Sequence, residues 1–514
     1  MTTRIATHDS GAPRSRWLAM AASIPRWLVL LLAAALVRSP TFGNPIVHVD
    51  EEFYFVTAQH MLHGALPFVD IFDRKPVGLF LLYVPAAALG YPWGILAYQL
   101  MALASVVLTA MMIARLADRA GWQRGATPAA LLYIFMLNIA DGQGGQAPVF
   151  YNLLMIAAIA LVLPRAADTA QDWRRIARAM GAMLLVGLAM QVKYSVLFEG
   201  LFLGLWLTVR EWRLGATPLP WAIRVSAYAI AAMVPTVLAG AVYAALGHFD
   251  AWFFANFKSI LDRKSDPASE LALAFLQMVL FLGPLLTICW FSRRIPAADA
   301  LAGHRRTLLF GWLISSVIGL ILFGSWFNHY ALPVMMPASL CCAGFFGAAP
   351  LGRRVVAPAL LAVALIAGET IVVTSAWRRG NDAQLESIAA AIGHGKGCLY
   401  LHSGDTMMYA ASGRCTASAW VFPSHLARER ENGAVGVDQL EEVDRIFRRH
   451  PAVVAMRAPF SGERRVVRER VLQYLQRDGY RLRGRYPIGD DHISVYATAL
   501  DDGGAPQRAA SSAP

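Results

Sequence analysis

The apolar run Val77–Gly90, Val-Gly-Leu-Phe-Leu-Leu-Tyr-Val-Pro-Ala-Ala-Ala-Leu-Gly, decides the topology of this chain. It holds about 14 residues, and crossing the hydrocarbon of a bilayer takes about 20. The run therefore reads as an interfacial or re-entrant helix. Residues 44–93 then form one long loop on a single side of a membrane. If the run crossed instead, Arg115, Arg119 and Arg124 would fall on the outer side and break the charge pattern of the other loops.

On either side of this stretch, apolar segments long enough to span begin near Trp27, Ile95, Thr127, Val149, Met180, Val196, Ile223, Leu271, Thr307, Tyr330 and Val355. That is about eleven spans by length. The two arms between Met180 and Arg210 are only about 14 residues each, short for a bilayer. One alternating set of loops carries 20 basic residues, from Arg4, Arg14, Arg16 and Arg26 through to Arg353 and Arg354; the other set carries seven. Basic residues are retained in the cytoplasm, so the N-terminus reads as inside. Trp27–Val37 is followed by Arg-Ser-Pro rather than a small-residue cleavage site, and reads as an uncleaved first span. An odd span count puts the tail outside, in the periplasm of a bacterium, with the bundle in the inner membrane.

Composition agrees. Of 514 residues, 57% are apolar and 16% charged, and the mean hydropathy is +0.46. A soluble chain of this length needs far more charged surface, and a chain this apolar does not stay unfolded in water. Five cysteines are too few for a disulfide-built module. The net charge of +12 comes from arginine clusters between apolar segments, which is not a nucleic-acid-binding face.

The expected organisation is a cytoplasmic N-terminus over 1–26 and a transmembrane domain over 27–376, with its first periplasmic loop at 43–94. A periplasmic α/β domain covers 377–500 and a disordered tail 501–514. Within the α/β domain, helices are predicted at Leu385–Ile392, Asp405–Ser412, Val437–Arg449 and Glu463–Arg477. Strands are predicted at Cys398–His402, Cys415–Phe422, Val453–Arg457, Tyr480–Tyr486 and His492–Thr498. Cys398 and Cys415 begin two of these strands and form a candidate disulfide; Cys289, Cys341 and Cys342 read as small core residues. There is no GxGxxG and no P-loop.

The chemistry-bearing residues concentrate in the long outer loop. It reads His48-Val-Asp50-Glu51-Glu52-Phe-Tyr54, then His60-Met-Leu-His63-Gly64, then Asp70-Ile-Phe-Asp73-Arg74-Lys75-Pro76. Three consecutive acids just past a span are unusual in so apolar a chain. Asp50 and Tyr54 are four apart and share a helix face. A carboxylate can take a proton from a hydroxyl, and Arg74 and Lys75 can hold a phosphate. The competing reading is a solvated, salt-bridged loop. His48, His60 and His63 with the acids match no standard zinc spacing; no metal is assigned, and a divalent cation stays an alternative.

Asp-Glu-x-x-Tyr, Met-Leu-x-Gly and Phe-Asp-x-Lys-Pro together resemble the first outer loop of the GT-C superfamily of membrane glycosyltransferases. They resemble most its bacterial protein-mannosyltransferase-like branch, whose relatives include the aminoarabinose transferase of lipid A and the galacturonosyltransferases of lipopolysaccharide core. Phe327-Asn-His329-Tyr330-Ala-Leu-Pro333, opening a late span, and Lys193-Tyr194, at the outer end of another, add to the likeness. Val77 stands where many of these proteins carry a second proline. The resemblance implies a GT-C-like bundle with a small C-terminal α/β domain. It implies transfer of a sugar from a polyprenyl-phosphate donor to an acceptor hydroxyl of a glycan, lipid or protein. Asp50 would be the general base and Glu51 its companion. Arg74, Lys75, Lys193, His329 and Arg38 would face the donor phosphate, and Tyr54, Asp73 and Tyr330 would support them. No cofactor is implied.

A transporter or flippase, or a polymerase of lipid-linked glycans, is the alternative class. Transporters carry ionisable residues at the bilayer midplane. Here the spans hold almost no acids, Glu199 and Glu369 excepted, and no internal repeat stands out.

Overall fold

The computed structural model describes residues 24–499. Arg4, Arg14 and Arg16 and the tail 501–514 lie outside the described residues. The chain folds as a polytopic helical membrane protein with a small C-terminal sheet region. The bundle opens with α1 (Arg26–Arg38), followed by two helices of the outer loop, α2 (Val49–Leu62) and α3 (Val77–Ala87). Then come α4 (Trp93–Arg119), α5 (Gln123–Leu137), α6 (Ala147–Val162), α7 (Trp173–Met190) and α8 (Leu197–Arg213). The second half holds α9 (Pro218–Ala245), the short α10 (Phe249–Phe253), α11 (Ala268–Arg293), α12 (Ala300–Phe323), α13 (Leu332–Ala348) and α14 (Ala357–Arg379).

Among the described residues, six helical stretches are long and apolar enough to cross a membrane, and α3 and α6 are shorter apolar helices. The arms expected to be about 14 residues are longer. Helix α7 starts at Trp173 and holds 18 residues, and α8 runs on to Arg213 with 17. The arginines at these ends are held by ion pairs to two buried acids. Arg175 and Arg224 both meet Glu211, and Arg178 and Arg210 both meet Asp168.

Helix α13 is apolar all round and buried from Leu332 to Gly344, as a central helix must be. It packs on α5 where Gly125 lies against the Ala343 carbonyl, leaving no room for a Cβ. Small residues at such crossings let backbones approach in place of a hydrophobic drive that lipid cannot supply. Helices α9 and α11 instead expose Ile230, Val237, Leu238, Leu276 and Leu280, the surface expected toward acyl chains.

Helix α3 is an 11-residue helix started by Pro76, which has no N–H to leave unpaired there. It packs beneath α2, and its Tyr83 hydroxyl donates to the Gly145 carbonyl at 2.6 Å. Helix α2 is capped by His48, whose Nδ1 accepts from the Asp50 amide, and it stops at Leu62 before Gly64 in a left-handed conformation.

The C-terminal region carries α15 (Asp382–Ile392), β1 (Leu399–Leu401), α16 (Met407–Ser412), α17 (Ser424–Ala427), α18 (Gln439–Arg448), β2 (Val453–Arg457), α19 (Arg465–Arg477), β3 (Arg481–Ile488) and β4 (Asp491–Ala497). The sheet order is β1-β2-β4-β3, with β1 parallel to β2 and the other pairs antiparallel. Strand periodicity splits its residues between two cores. Val453, Ala455, Ile493 and Val495 join the core shared with the bundle, while Val454 and Met456 pack with Val443, Phe447, Val471 and Leu475 of α18 and α19.

Cys415–Phe422, predicted as a strand, is irregular. Only an isolated bridge between Leu399 and Thr416 forms. Its ladder stops because the Ala419 carbonyl accepts instead from the Phe72 amide of the outer loop, at 2.9 Å. Cys398 and Cys415 are joined in a disulfide.

Candidate active site

A cavity of about 650 Å³ opens where the outer loop, the ends of α11–α13 and the C-terminal region meet. Several chain segments build its walls, and the key side chains are placed for local reasons.

Asp50 sits in the first turn of α2, where a carboxylate is favoured by the unpaired amides of a helix start. Lys75 immediately precedes Pro76, so its position is set by the start of α3. Its ammonium donates to Asp73 Oδ2 at 3.1 Å and lies 3.5 Å from Asp50 Oδ1. It also lies over the ring of Tyr54, 5.3 Å from its centre. Burial opposes the charge on Asp50. Lys75 foremost, then His48, His329 and Gln146, outweigh it and hold the carboxyl well below the ordinary carboxylate range. Burial likewise opposes the charge on Lys75, and Asp73 and Asp50 more than restore it, so its pKa lies above that of an ordinary lysine. Asp50 is therefore an ionised carboxylate at neutral pH, on a cavity wall it shares with an ammonium.

Lys193 follows the end of α7. It lines the cavity with its ammonium over the Tyr330 ring, 4.3 Å from the centre. Burial pulls it down to about 7, with Asp50 opposing and Lys75 adding to the effect. His329 stacks on Phe327 and meets His48 edge to face. His48, Asp50 and His329 thus come together, as do Lys75, Lys193 and Tyr330.

Other residues singled out in the sequence lie outside this group. Arg74 borders the cavity, but its guanidinium is engaged elsewhere. It donates to Ser259 Oγ (2.6 Å) and the Ala434 carbonyl (3.0 Å), and it pairs with Glu431 (2.6 Å). Arg38 does not line the cavity. It is buried below it, donating to the carbonyls of Gly142 (2.8 Å) and Gly144 (2.5 Å). Glu51 is buried against Gly144 and lies behind the wall; burial pushes it up to about 7. Tyr54 packs edge to face on Tyr83. His60 and His63 are remote from the cavity, and His63 bonds the Gln59 carbonyl.

The structure also adds residues that the sequence did not single out. Gln146 donates to Asp50 Oδ2 at 3.2 Å. Arg263 and Arg430 both lie over Phe327, and they pair with Glu431 and Asp266 respectively. His425 and Arg428 reach the cavity from the C-terminal region. The one sequence signal for Gln146 is the glycine-rich Asp141-Gly-Gln-Gly-Gly-Gln146 between two spans.

The ligand atoms of His48, Asp50 and His329 lie within 4.8 Å of one another, the spacing of a three-ligand cation site. These three residues could hold a divalent cation. Asp50 Oδ1 also faces the Lys75 ammonium and Oδ2 a Gln146 N–H, while His48 Nδ1 accepts from the Asp50 amide.

No family model and no curated protein matches the chain. Its fold has counterparts among solved structures. ArnT from Cupriavidus metallidurans bound to undecaprenyl phosphate superposes with a TM-score of 0.63 at 15% identity, covering 94% of this chain and 99% of that one. The archaeal oligosaccharyltransferase AglB from Archaeoglobus fulgidus, in complex with an inhibitory peptide and a dolichol-phosphate, superposes with a TM-score of 0.54 at 12% identity, covering 87% of this chain and 70% of that one. A second structure of the Archaeoglobus fulgidus oligosaccharyltransferase, in complex with Zn and sulfate, gives 0.50 at 12% identity, covering 84% of this chain and 68% of that one. The likeness to these solved structures is one of fold, and it runs over most of the chain.

Proposed function

We propose that this chain is an integral-membrane glycosyltransferase moving a sugar from a polyprenyl-phosphate carrier to an acceptor hydroxyl at the periplasmic face of the inner membrane. Asp50 is its general base. The observation that carries this reading is the pairing of the ionised Asp50 with Lys75 at 3.5 Å, on the wall of a cavity at one end of an apolar bundle. Undecaprenyl phosphate and dolichol-phosphate in the two similar structures support a lipid phosphate as the donor's carrier. The disulfide between Cys398 and Cys415 suits an oxidising compartment for the C-terminal region.

The acceptor oxygen attacks the anomeric carbon and a new C–O bond forms. Its proton passes to Asp50, and the bond from carbon to the phosphate oxygen breaks with inversion. The electron pair leaves with the lipid phosphate. A phosphate leaves readily as an anion, so the site needs positive charge more than a strong acid. Lys75 and Lys193 supply that charge, and His329 and Tyr330 line the same wall. Arg74 and Arg38, engaged elsewhere, hold the scaffold. No step is assigned to a metal.

The transporter alternative has no favouring observation. Glu199 accepts from the Trp312 indole at 2.6 Å and Glu369 accepts from Asn138 at 3.0 Å; each has a local structural partner.

The test is Asp50→Asn in a deletion strain, with envelope glycolipids read by mass spectrometry. The variant inserts normally and its product falls by roughly 10²- to 10⁴-fold, the usual contribution of a general base. Product at the wild-type level removes Asp50 from the reaction.

A further inference from the structure

Gln146 is the residue immediately before α6, and its side chain is almost fully buried between Asp50 and His48. Its Nε2 donates to Asp50 Oδ2 at 3.2 Å and lies against the His48 ring, 2.6 Å from Nδ1 and 3.3 Å from Nε2. The orientation of the amide follows from its partners. His48 Nδ1 already accepts from the Asp50 backbone amide at 3.2 Å, so it carries no proton. A flipped amide would set its oxygen against the Asp50 carboxylate oxygen, which is repulsive. The cost of the observed orientation is visible: Gln146 Oε1 is buried without a partner. A glutamine kept only for packing has no reason to leave a buried acceptor orphaned.

We propose that Gln146 is a positioning residue of the transfer reaction. It fixes the rotation of the Asp50 carboxylate. The inference rests on Asp50 being the base. Oδ2 is held by Gln146, and Oδ1 faces Lys75 across 3.5 Å and remains the oxygen open to an acceptor hydroxyl. The loop before Gln146 is built to hold it. Arg38 donates to the Gly142 and Gly144 carbonyls, the Tyr83 hydroxyl donates to the Gly145 carbonyl, and Glu51 fills the space a Cβ at Gly144 would occupy. These contacts give Arg38 and Glu51 a use away from the substrate: they fasten the segment that aims Gln146.

The experiment uses the full-length protein with two variants of nearly the same side-chain volume. Gln146→Met keeps the packing and removes the donors; Gln146→Glu also keeps the shape and sets an acceptor against Asp50 and His48. Both are inserted in nanodiscs, and undecaprenyl phosphate is the binding probe. Product is read as cellular glycolipid. Misorienting a general base removes much of its contribution, so product falls by roughly 10²-fold in both variants. The affinity for undecaprenyl phosphate stays within about twofold, because neither variant touches the cations that hold it. Wild-type product in the folded Gln146→Met variant overturns the inference. Asp50→Asn in the same assay separates the two failures. If Asp50→Asn retains product, the base itself is misassigned. If Asp50→Asn loses product and Gln146→Met retains it, only the role of Gln146 falls.

Discussion

Arg379, the last residue of the last bundle helix, donates from Nη2 to Glu52 Oε1 at 2.8 Å. Glu52 follows Asp50 by two residues and is fully buried. The same guanidinium reaches Asp405 of the C-terminal region at 3.2 Å, and the second Glu52 oxygen accepts from the Met407 amide. Three parts of the chain therefore meet at one buried charge: the helix carrying the candidate base, the end of the bundle and the sheet region. The C-terminal region is a wall of the site, and it also supplies His425 and Arg428 to the cavity.

Removing Arg379 leaves Glu52 buried without its cation. Breaking a buried pair from one side costs about 3 kcal/mol or more. Arg379→Ala is therefore expected to melt well below the wild type in detergent, and its glycolipid product is expected to drop because α2 loses its anchor. Arg379→Lys keeps the charge and recovers part of both. A melting curve for Arg379→Ala that overlays the wild type would mean that Glu52 is neutral and the pair contributes nothing.

The pull toward 7 on Lys193 has a sign that can be read in solution. Its ammonium is present below pH 7 and is lost above it, so the cavity's positive charge falls as pH rises. Undecaprenyl phosphate should bind about tenfold more weakly at pH 8 than at pH 6, the scale of one charge-assisted hydrogen bond. The lipid's own titration contributes a slope as well, and Lys193→Met isolates the lysine. That variant is expected to bind weakly at both values with a much flatter dependence. An identical slope in wild type and variant would remove Lys193 from phosphate binding.

Asp50, Lys75 and Tyr330 were legible because each lies in a local motif next to a helix start, where sequence alone fixes the neighbourhood. Arg74 was not. It precedes Lys75, and consecutive residues in irregular chain project in different directions, so Arg74 meets Glu431 while Lys75 meets Asp50. No local pattern announces a partner so distant in the chain. Gln146 and Arg263 were invisible for a related reason: each is a single polar residue on its own loop, brought to the site only by the packing of the bundle. The helices of the C-terminal region were legible from their 3.6 periodicity, and four of its five predicted strands form. Cys415–Phe422 alternates like a strand, but its backbone is spent on the outer loop, which sequence periodicity cannot report.

The disulfide between Cys398 and Cys415 spans 17 positions and holds the start of β1 against the irregular segment beside it. A closed loop of this length restrains the unfolded chain by roughly 3 kcal/mol in the chain-entropy account. Cys398→Ser with Cys415→Ser should lower the melting temperature of the C-terminal region, and dithiothreitol should do the same to the wild type. The buried thiols of Cys289, Cys341 and Cys342 give no such response. Melting unchanged by either treatment would show that the bridge does not form in the cell.

Orientation is the last expectation, and the C-terminal region reports it. Because His425 and Arg428 line the cavity, the side of the membrane that holds this region is the side that holds the site. Ser461 is exposed on its surface, and the native thiols are either buried or bridged, so a Ser461→Cys variant carries one accessible thiol among the described residues. A membrane-impermeant maleimide should label it in cells whose outer barrier alone has been opened, before the inner membrane is lysed. The excess of arginine in the opposite loops argues for this side, since basic residues resist translocation. Labelling only after lysis would place Asp50 and the cavity in the cytoplasm. The donor would then have to present its sugar to the inner leaflet, and the periplasmic reaction proposed here would fail even with its chemistry intact.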